Sequence, residues 1–598
     1  MNIPLPELGI FLLRAFVVVM FAMNVAVLLT WADRRQGAAI QDRVGPNRAV
    51  IWIPTPIAQA LALLPALGLA GGVLLLLAKH DFEGPMKPFA AAAFSHLAIL
   101  WVWLTGLIIA GLVAARGARN SFDVFIASIG NPRRFFYAGF AAHLILFAAT
   151  LMYRGTEQGA LLEQLGLSAF PAMFAFAVVA GAGYAAFSIR KEPRVGLRLV
   201  GLLHPAADGL KTIFKEDFIP PNADKFLHSI APIIAFFPAL VVLGVVPFGS
   251  ALCFGTNPET GRIAFDKLYD VLPAAGCTGE GMKQLPLQVV GLDVGVLYFF
   301  ALAGTGIVGA ALAGWASDNK YSLLGGLRAA SQMVSYEVTM GLTLVGVFML
   351  YGTLRVDEMV RWQAENTWGI FLQPVAFVLF FAAAVAESKR IPFDIPEGES
   401  EIVAGYYTEY AGMKFAMFFF AEYIAVVTSS ALMAALFLGG WDLPFIRHDG
   451  LHIAIGQSVF VHEELPHVLV VVLGALGFVL KTVTLCWLQL TIRWTLPRFR
   501  YDQLMRLGWR KLLPASLVNI LVTGVLILAV QGAGESVLHG LETAAAVTKL
   551  LIAVAGIAGV VALVLFLLRP VKKRRMLATT SAQFGATLGG TQQARMEA

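Results

Sequence analysis

Acidic residues crowd one short stretch that lies between apolar runs. From residue 387 the chain reads Glu387-Ser-Lys-Arg-Ile-Pro-Phe-Asp394-Ile-Pro-Glu397-Gly-Glu399-Ser-Glu401, and Glu409 follows. Glu337 lies inside or at the mouth of one apolar run, Glu422 well inside another, and Lys481 in the middle of a third. Ionisable groups in apolar helices are costly and mark paths for ions, protons or substrate. Clustered carboxylates in low dielectric share protons, which is the chemistry of a relay. The plainer reading is a solvated loop with a few snorkelling side chains. It suits Glu337 and Glu422 poorly, because a carboxylate deep in an apolar run has a short reach. For residues 387–409 both readings stay open.

Other patterns mislead. His462-Glu463-Glu464-Leu465-Pro466-His467 spaces its histidines five apart across a proline, whereas a zinc helix needs them at i and i+4. Gly181-Ala-Gly183-Tyr-Ala-Ala186 matches a loose dinucleotide fingerprint, but no strand precedes it. Small residues for close helix packing explain it better. Cys253, Cys277 and Cys486 are the only cysteines and none lies in a CxxC, so they form no iron–sulfur or structural zinc set. Cys486 reads as a small core residue. Cys253 and Cys277 share a loop, and a bridge between them depends on that loop lying outside the cytoplasm. No Walker loop, GxSxG or haem-ligand pattern is present, and the chain carries no visible redox centre.

The elements that must position these groups follow from composition. The 598 residues are 58% hydrophobic and only 14% charged, against about 25% charged in a soluble domain. Mean hydropathy is +0.74. A soluble fold could not cover such a core, and a disordered chain would be charged and poor in apolar residues. The net charge of +6 comes from short clusters beside apolar runs: Arg34-Arg35, Arg133-Arg134, Arg190-Lys191, Lys389-Arg390, Arg498 with Arg500, and Lys572 to Arg575. That is the positive-inside pattern, and no basic domain is left to grip nucleic acid.

A membrane helix needs about 20 apolar residues. Runs of that kind centre on residues 10–31, 56–78, 89–115, 135–153, 170–189, 227–249, 292–314, 333–352, 369–386, 413–438, 467–491, 512–531 and 544–568. The expected fold is an all-α, polytopic bundle of about 13 transmembrane helices. No cation precedes the first run and no cleavage site follows it, so it is not a signal peptide. Arg34 and Arg35 place the N-terminus outside. Alternation then puts nearly all basic clusters inside, with the C-terminus inside as well.

Several stretches now resemble one family. Gln41-Asp-Arg43-Val-Gly45-Pro46-Asn47-Arg48 resembles the QxRxGPNR motif of the H subunit of complex I, the proton-pumping NADH:quinone oxidoreductase. Gly201-Leu-Leu-His-Pro205-Ala-Ala-Asp208-Gly-Leu-Lys211, Gly314-Trp-Ala-Ser-Asp-Asn319-Lys320-Tyr321 and Ser335-Tyr336-Glu337 continue the match in order. The block from Glu387 to Lys414 is the most specific, and Pro497-Arg498-Phe-Arg500-Tyr-Asp502 closes the series. The resemblance divides the chain into a first helix and GPNR loop (1–50), an inserted four-helix segment (51–194), a quinone-chamber bundle (195–531), and an extra helix with a basic tail (532–598). Eight helices are core, four inserted and one C-terminal. Four is even, so both ends of the insert return to the cytoplasmic side. Its apolar, carboxylate-poor helices read as a peripheral annex, with Arg116, Arg119, Arg133 and Arg134 facing the cytoplasm. Two departures stand out: Asp33-Arg34 replaces the family's usual Glu-Arg, and His204 its usual glutamine.

The resemblance implies a membrane component that binds a lipid-soluble quinone as substrate, holds no metal or flavin of its own, and takes electrons from a partner's iron–sulfur cluster. Asp33, Arg34, Arg43, Arg48, Asp208, Lys211 and Arg498 would line or border the quinone path. Glu337, Glu387, Asp394, Glu397, Glu399 and Glu422 would carry protonation changes toward pumping subunits. Implied partners are peripheral iron–sulfur and quinone-module subunits, small membrane subunits, antiporter-like subunits and the lipid of a bacterial inner (cytoplasmic) membrane. Two other readings are weighed: the related membrane subunit of a membrane-bound hydrogenase or formate hydrogenlyase, and a stand-alone transporter, against which the lack of an internal repeat counts.

Overall fold

The structure is a computed structural model that describes residues 5–41, 51–54, 194–197, 203–256, 263–264 and 282–532, apart from four positions between 445 and 457, together with residue 540. The expected helices at 56–78, 89–115, 135–153, 170–189 and 544–568 lie outside the described residues, as does Cys277.

Among the described residues, seven helices are long and apolar enough to cross a membrane. The first is α1 (Leu5–Ile40), followed after a short amphipathic helix α2 (Leu203–Ile213) by α3 (Lys225–Val242). Next come α4 (Gly295–Ala316) and α5 (Lys320–Tyr351). A break follows, made of α6 (Val356–Glu365), α7 (Gly369–Leu372) and the shorter apolar helix α8 (Pro374–Glu387). The one-turn α9 (Glu399–Ile402) leads to α10 (Gly412–Phe437), then α11 (His467–Thr495). The last span joins α12 (Tyr501–Leu507), a π-helical turn at Gly508–Leu512, and α13 (Leu513–Gln531). With α8, an apolar helix stands at each of the eight expected core positions.

Local chemistry sets the ends. The Asp224 carboxylate accepts from the Phe226 and Leu227 amides at 3.0 and 3.1 Å, capping α3. Asn319 caps α5 through the Tyr321 amide, and Gly352 closes it in the left-handed region at φ +68°. The Asn319 cap lies well before the expected start of the helix near residue 333. The polar, glycine-containing residues 320–332 mask their helicity by breaking the apolar run, and Glu337 therefore sits mid-helix, not at a helix end.

The helices pack closely through small residues. A Cβ on Gly309 of α4 would stand 2.7 Å from the Ala235 amide nitrogen of α3. Helix α10 is the central post, with every residue from Val426 to Phe437 buried. Around it Val18, Leu243, Phe299, Leu344, Phe380 and Phe478 form one core.

Eight short strands among the described residues depart from a purely helical expectation. β1 (Ile51–Pro54) pairs antiparallel with β2 (Arg194–Leu197), Pro54 opposite Arg194. Two three-stranded sheets, β3 (Leu252–Thr256) with β4 (Ile263–Ala264) and β5 (Met282–Leu285), and β6 (Ile446–Arg447) with β7 (Gly450–Ile455) and β8 (Ser458–Glu464), fall in segments 250–291 and 439–466, both of which the alternation of spans places outside. Cys253 is disulfide-bonded, and Cys486 is free and buried as expected of a core residue.

Candidate functional site

Prolines and glycines fold the 387–411 segment inward. Gly405 adopts φ +56° and its missing side chain admits the Pro396 carbonyl, which a Cβ would meet at 1.7 Å. Gly325 of α5 allows the Gly405 backbone a similarly close approach. Phe393, Asp394, Ile395 and Arg390 are all buried. This segment is therefore no solvated loop.

Inside it Arg390 is enclosed. Its Nη2 lies 3.2 Å from the Glu422 Oε2, and its guanidinium stacks 4.0 Å from the Tyr423 ring centroid. Glu422 is 3% exposed and also accepts from the Tyr406 hydroxyl at 3.2 Å and from the Tyr407 hydroxyl. A buried charge needs this much partnering to be tolerated. Beside the pair lies a chamber that is open on one side and holds a cavity of about 90 Å³. Phe299, Met333, Met340, Phe380 and Phe418 give it apolar walls, while Glu387, Lys389, Tyr406 and Glu422 bring charge and hydroxyls to it.

The expected carboxylates do not share one place. Glu387 closes α8 and faces the chamber, and the charges of Glu337 and Lys389 act on it. Glu337 of α5 presses its carboxylate where Gly304 of α4 has no side chain, Oε1 standing 2.9 Å from a Cβ built there. Asp394 pairs with Arg498 Nη2 at 2.6 Å. Burial raises the Asp394 carboxyl above its ordinary range, against the pull of Arg498. Burial likewise pushes Glu397 up to about 8, with repulsion from Glu422 adding to the rise and Arg390 opposing it. Glu399 stands apart: it is exposed at the start of α9 and does not line the chamber. Glu401 pairs with Arg328 at 2.7 Å.

The expected quinone-path residues do not form one cluster. Asp33 is buried near the end of α1, where it accepts from the Tyr423 hydroxyl at 2.9 Å and Trp494 Nε1 at 2.8 Å and pairs with Arg493. Its neighbour Arg34 turns the other way to Asp208 of α2 at 2.6 Å, with both side chains half exposed. Lys211 is exposed on α2. Arg43 and Arg48 lie outside the described residues. Through Tyr423, which touches both Asp33 and Arg390, the α1 end connects to the chamber.

Sequence reading misses Arg390, Lys389, Tyr406, Tyr407, Tyr423 and Arg493. In the sequence Lys389 and Arg390 form a basic cluster that marks the cytoplasmic side. The signal against that is their position inside the proline-rich acidic block. Lys481 proves to be a capping cation. Its Nζ donates to the carbonyls of Leu438 at 2.7 Å, Gly440 at 2.9 Å and Asp442, just beyond the C-terminus of α10.

Apolar spanning helices around a chamber with buried, paired carboxylates define the class: a polytopic helical membrane protein with ionisable groups among its spans. The comparisons narrow this further. A family model for NADH dehydrogenase matches residues 164–524, and the chain belongs to that family. It is 46% identical over 327 residues to a protein of Geobacter metallireducens named as an H subunit of NADH-quinone oxidoreductase, covering 55% of this chain and 83% of that one. The H subunit of the same name from Cytophaga hutchinsonii is 42% identical over 55% of this chain and 84% of its own length. For the H subunit of Thermomicrobium roseum the figures are 39%, 60% and 92%. The family match begins 31 residues ahead of the expected core boundary at 195.

Proposed function

We propose that this chain is the quinone-chamber membrane subunit of a proton-pumping NADH:quinone oxidoreductase. One observation carries the reading: a run of contacts leads from Asp33 through Tyr423 and Arg390 to Glu422, and so to the chamber shared with Glu387. Quinone reduction consumes two electrons and two protons. The electrons come from a partner subunit, and this chain's part is to admit the quinone and answer the charge change. A change at the Asp33 end alters the field at Arg390, which pairs with Glu422. Glu422, Glu397, Glu387 and Glu337 then redistribute protons toward the face that meets the pumping subunits. Asp33, Arg34, Arg43, Arg48, Asp208, Lys211 and Arg498 are assigned to the quinone side, Glu337, Glu387, Asp394, Glu397 and Glu422 to the relay. Glu399, exposed, is assigned to the relay's rim.

The partners are the remaining subunits of that complex, in a bacterial inner membrane. Residues 51–194 form an inserted annex, a division supported by the β1–β2 pair that brings both ends of the insert together. The hydrogenase-type alternative is not favoured, since the relatives at 39–46% identity carry quinone oxidoreductase names. Purified complex in proteoliposomes tests the reading. Glu337→Gln keeps size and hydrogen bonding but cannot titrate, so an assembled complex loses proton pumping at least tenfold, and Glu337→Asp keeps part of it. Full pumping by Glu337→Gln sinks the relay assignment.

A further inference from the structure

Between Glu387 and Glu422 the carboxylates have no direct bond, and the chamber separates them. Lys389 lines the same chamber as both carboxylates. Its backbone is held at φ +53°, a left-handed conformation that disfavours a residue with a Cβ, and strain of this kind persists where the surroundings impose it. From there its side chain borders the chamber together with Glu387, Tyr406 and Glu422. The Lys389 ammonium donates to the Tyr406 hydroxyl at 3.4 Å and lies 5.5 Å from that ring's centroid. The Tyr406 hydroxyl reaches Glu422 Oε1 at 3.2 Å and the Tyr407 hydroxyl at 2.8 Å, and Tyr407 in turn donates to the same Glu422 oxygen. Either way, the series of donors ends on Glu422. At its other end Glu387 Oε2 is buried and has no hydrogen-bond partner among the described residues.

We propose that Lys389 is a relay residue that, with Tyr406, carries protons between Glu387 and Glu422 across the chamber. The proposal rests on the relay reading above and adds the missing link to it. The step balances without any further reactant. Lys389 gives a proton to the Tyr406 oxygen as Tyr406 gives its own to Glu422, and the neutral amine then takes the proton of Glu387. One proton moves from Glu387 to Glu422, and Lys389 and Tyr406 end unchanged. The titratable groups that border the chamber with Lys389 are Glu387 of α8, Tyr406 of the folded segment and Glu422 of α10.

The test uses the whole complex in proteoliposomes, with subunit content on a native gel as the check on assembly. The readout is protons pumped per NADH oxidised, followed from pH 6 to 9. Lys389→Met is expected to lower this ratio at least fivefold and flatten its pH profile. Lys389→Arg keeps the charge but cannot give up its proton, so it is expected to lower the ratio as Lys389→Met does, and Tyr406→Phe to do the same. Lys389→His, which can exchange a proton, is expected to keep part of it. Normal pumping by Lys389→Met, while Glu337→Gln is impaired, overturns the role of Lys389 and leaves the carboxylate relay standing. Normal pumping by both overturns the relay reading itself. Should Lys389→Met fail to assemble, Lys389→Gln is measured instead. Failure of both to assemble overturns the proposal, because the ammonium would then be a structural ion.

Discussion

Arg498 and Asp394 meet at 2.6 Å, with Asp394 4% exposed at its side chain and Arg498 33%. A guanidinium holds a carboxylate through a flat fork of donors that an ammonium lacks. Arg498→Lys keeps the charge yet is expected to cut quinone turnover about tenfold, or about 1.4 kcal/mol of barrier. Unchanged NADH:quinone reductase activity in an assembled complex would remove Arg498 from the site. Glu397 offers a pH handle, since burial lifts its carboxyl from the ordinary 4.5 to about 8. The proton is held more tightly in the folded state than in the unfolded chain. Stability from this group is therefore complete below pH about 4.5, and it is lost as pH rises through about 8. Infrared difference spectra of the wild type against Glu397→Gln should show a protonated carboxyl band at pH 7 that fades with a midpoint near 8. A band already absent at pH 6 would refute the assignment.

At the level of the elements, the C-terminus of α10 and the bend after it are held by two side chains from elsewhere in the chain. Gln363 of α6 donates to the Ala435 carbonyl at 2.8 Å and accepts from the Gly369 and Gly439 amides at 2.9 and 3.0 Å. Lys481 of α11 supplies the cation, itself 4.1 Å from the Trp368 ring centroid. These contacts tie the break between α6 and α8 to the central post. Lys481→Met leaves its carbonyls without their donor, at a cost of about 1–3 kcal/mol. The variant complex is expected to unfold at lower temperature in a thermal-aggregation assay while pumping normally at room temperature. Lost pumping at unchanged thermal stability would instead put Lys481 on a proton path.

At the scale of the molecule, the β1–β2 pair sets Pro54 opposite Arg194, so the two ends that flank the 139 residues 55–193 meet at one point. A segment with that geometry can be excised at its neck, because its removal leaves strand ends that a short turn can join. Replacing residues 55–193 with a two- to four-residue turn is expected to yield a complex that assembles and keeps most of its quinone reductase activity, read on native gels and by NADH oxidation. Loss of the quinone reaction in an assembled deletion complex would place the insert in the chamber. Cysteine labelling that found the loop between Arg119 and Arg134 outside would overturn the four-crossing topology of the insert.

Much of this is legible in the chain itself. Apolar runs of bilayer length mark the spanning helices, because each must satisfy its own backbone within lipid. The charge rule orients them, and the block from Glu387 to Lys414 points to the carboxylates. Other features need the tertiary structure. Helix α5 begins at Lys320 through a cap at Asn319, which a hydropathy reading misses because residues 320–332 are polar. Arg390 looks like any cytoplasmic cation until Glu422 and the Tyr423 ring close on it. Asp33 and Arg34 are adjacent in sequence, yet one meets Arg493 and the other Asp208, since successive helical side chains point about 100° apart. Sequence alone marked Glu337, Glu422 and Lys481 as charges set within apolar runs, because such a placement is costly and therefore stands out. Which charges are partners was decided only by the packing, because an ion pair depends on distances of a few ångströms between helices hundreds of residues apart along the chain.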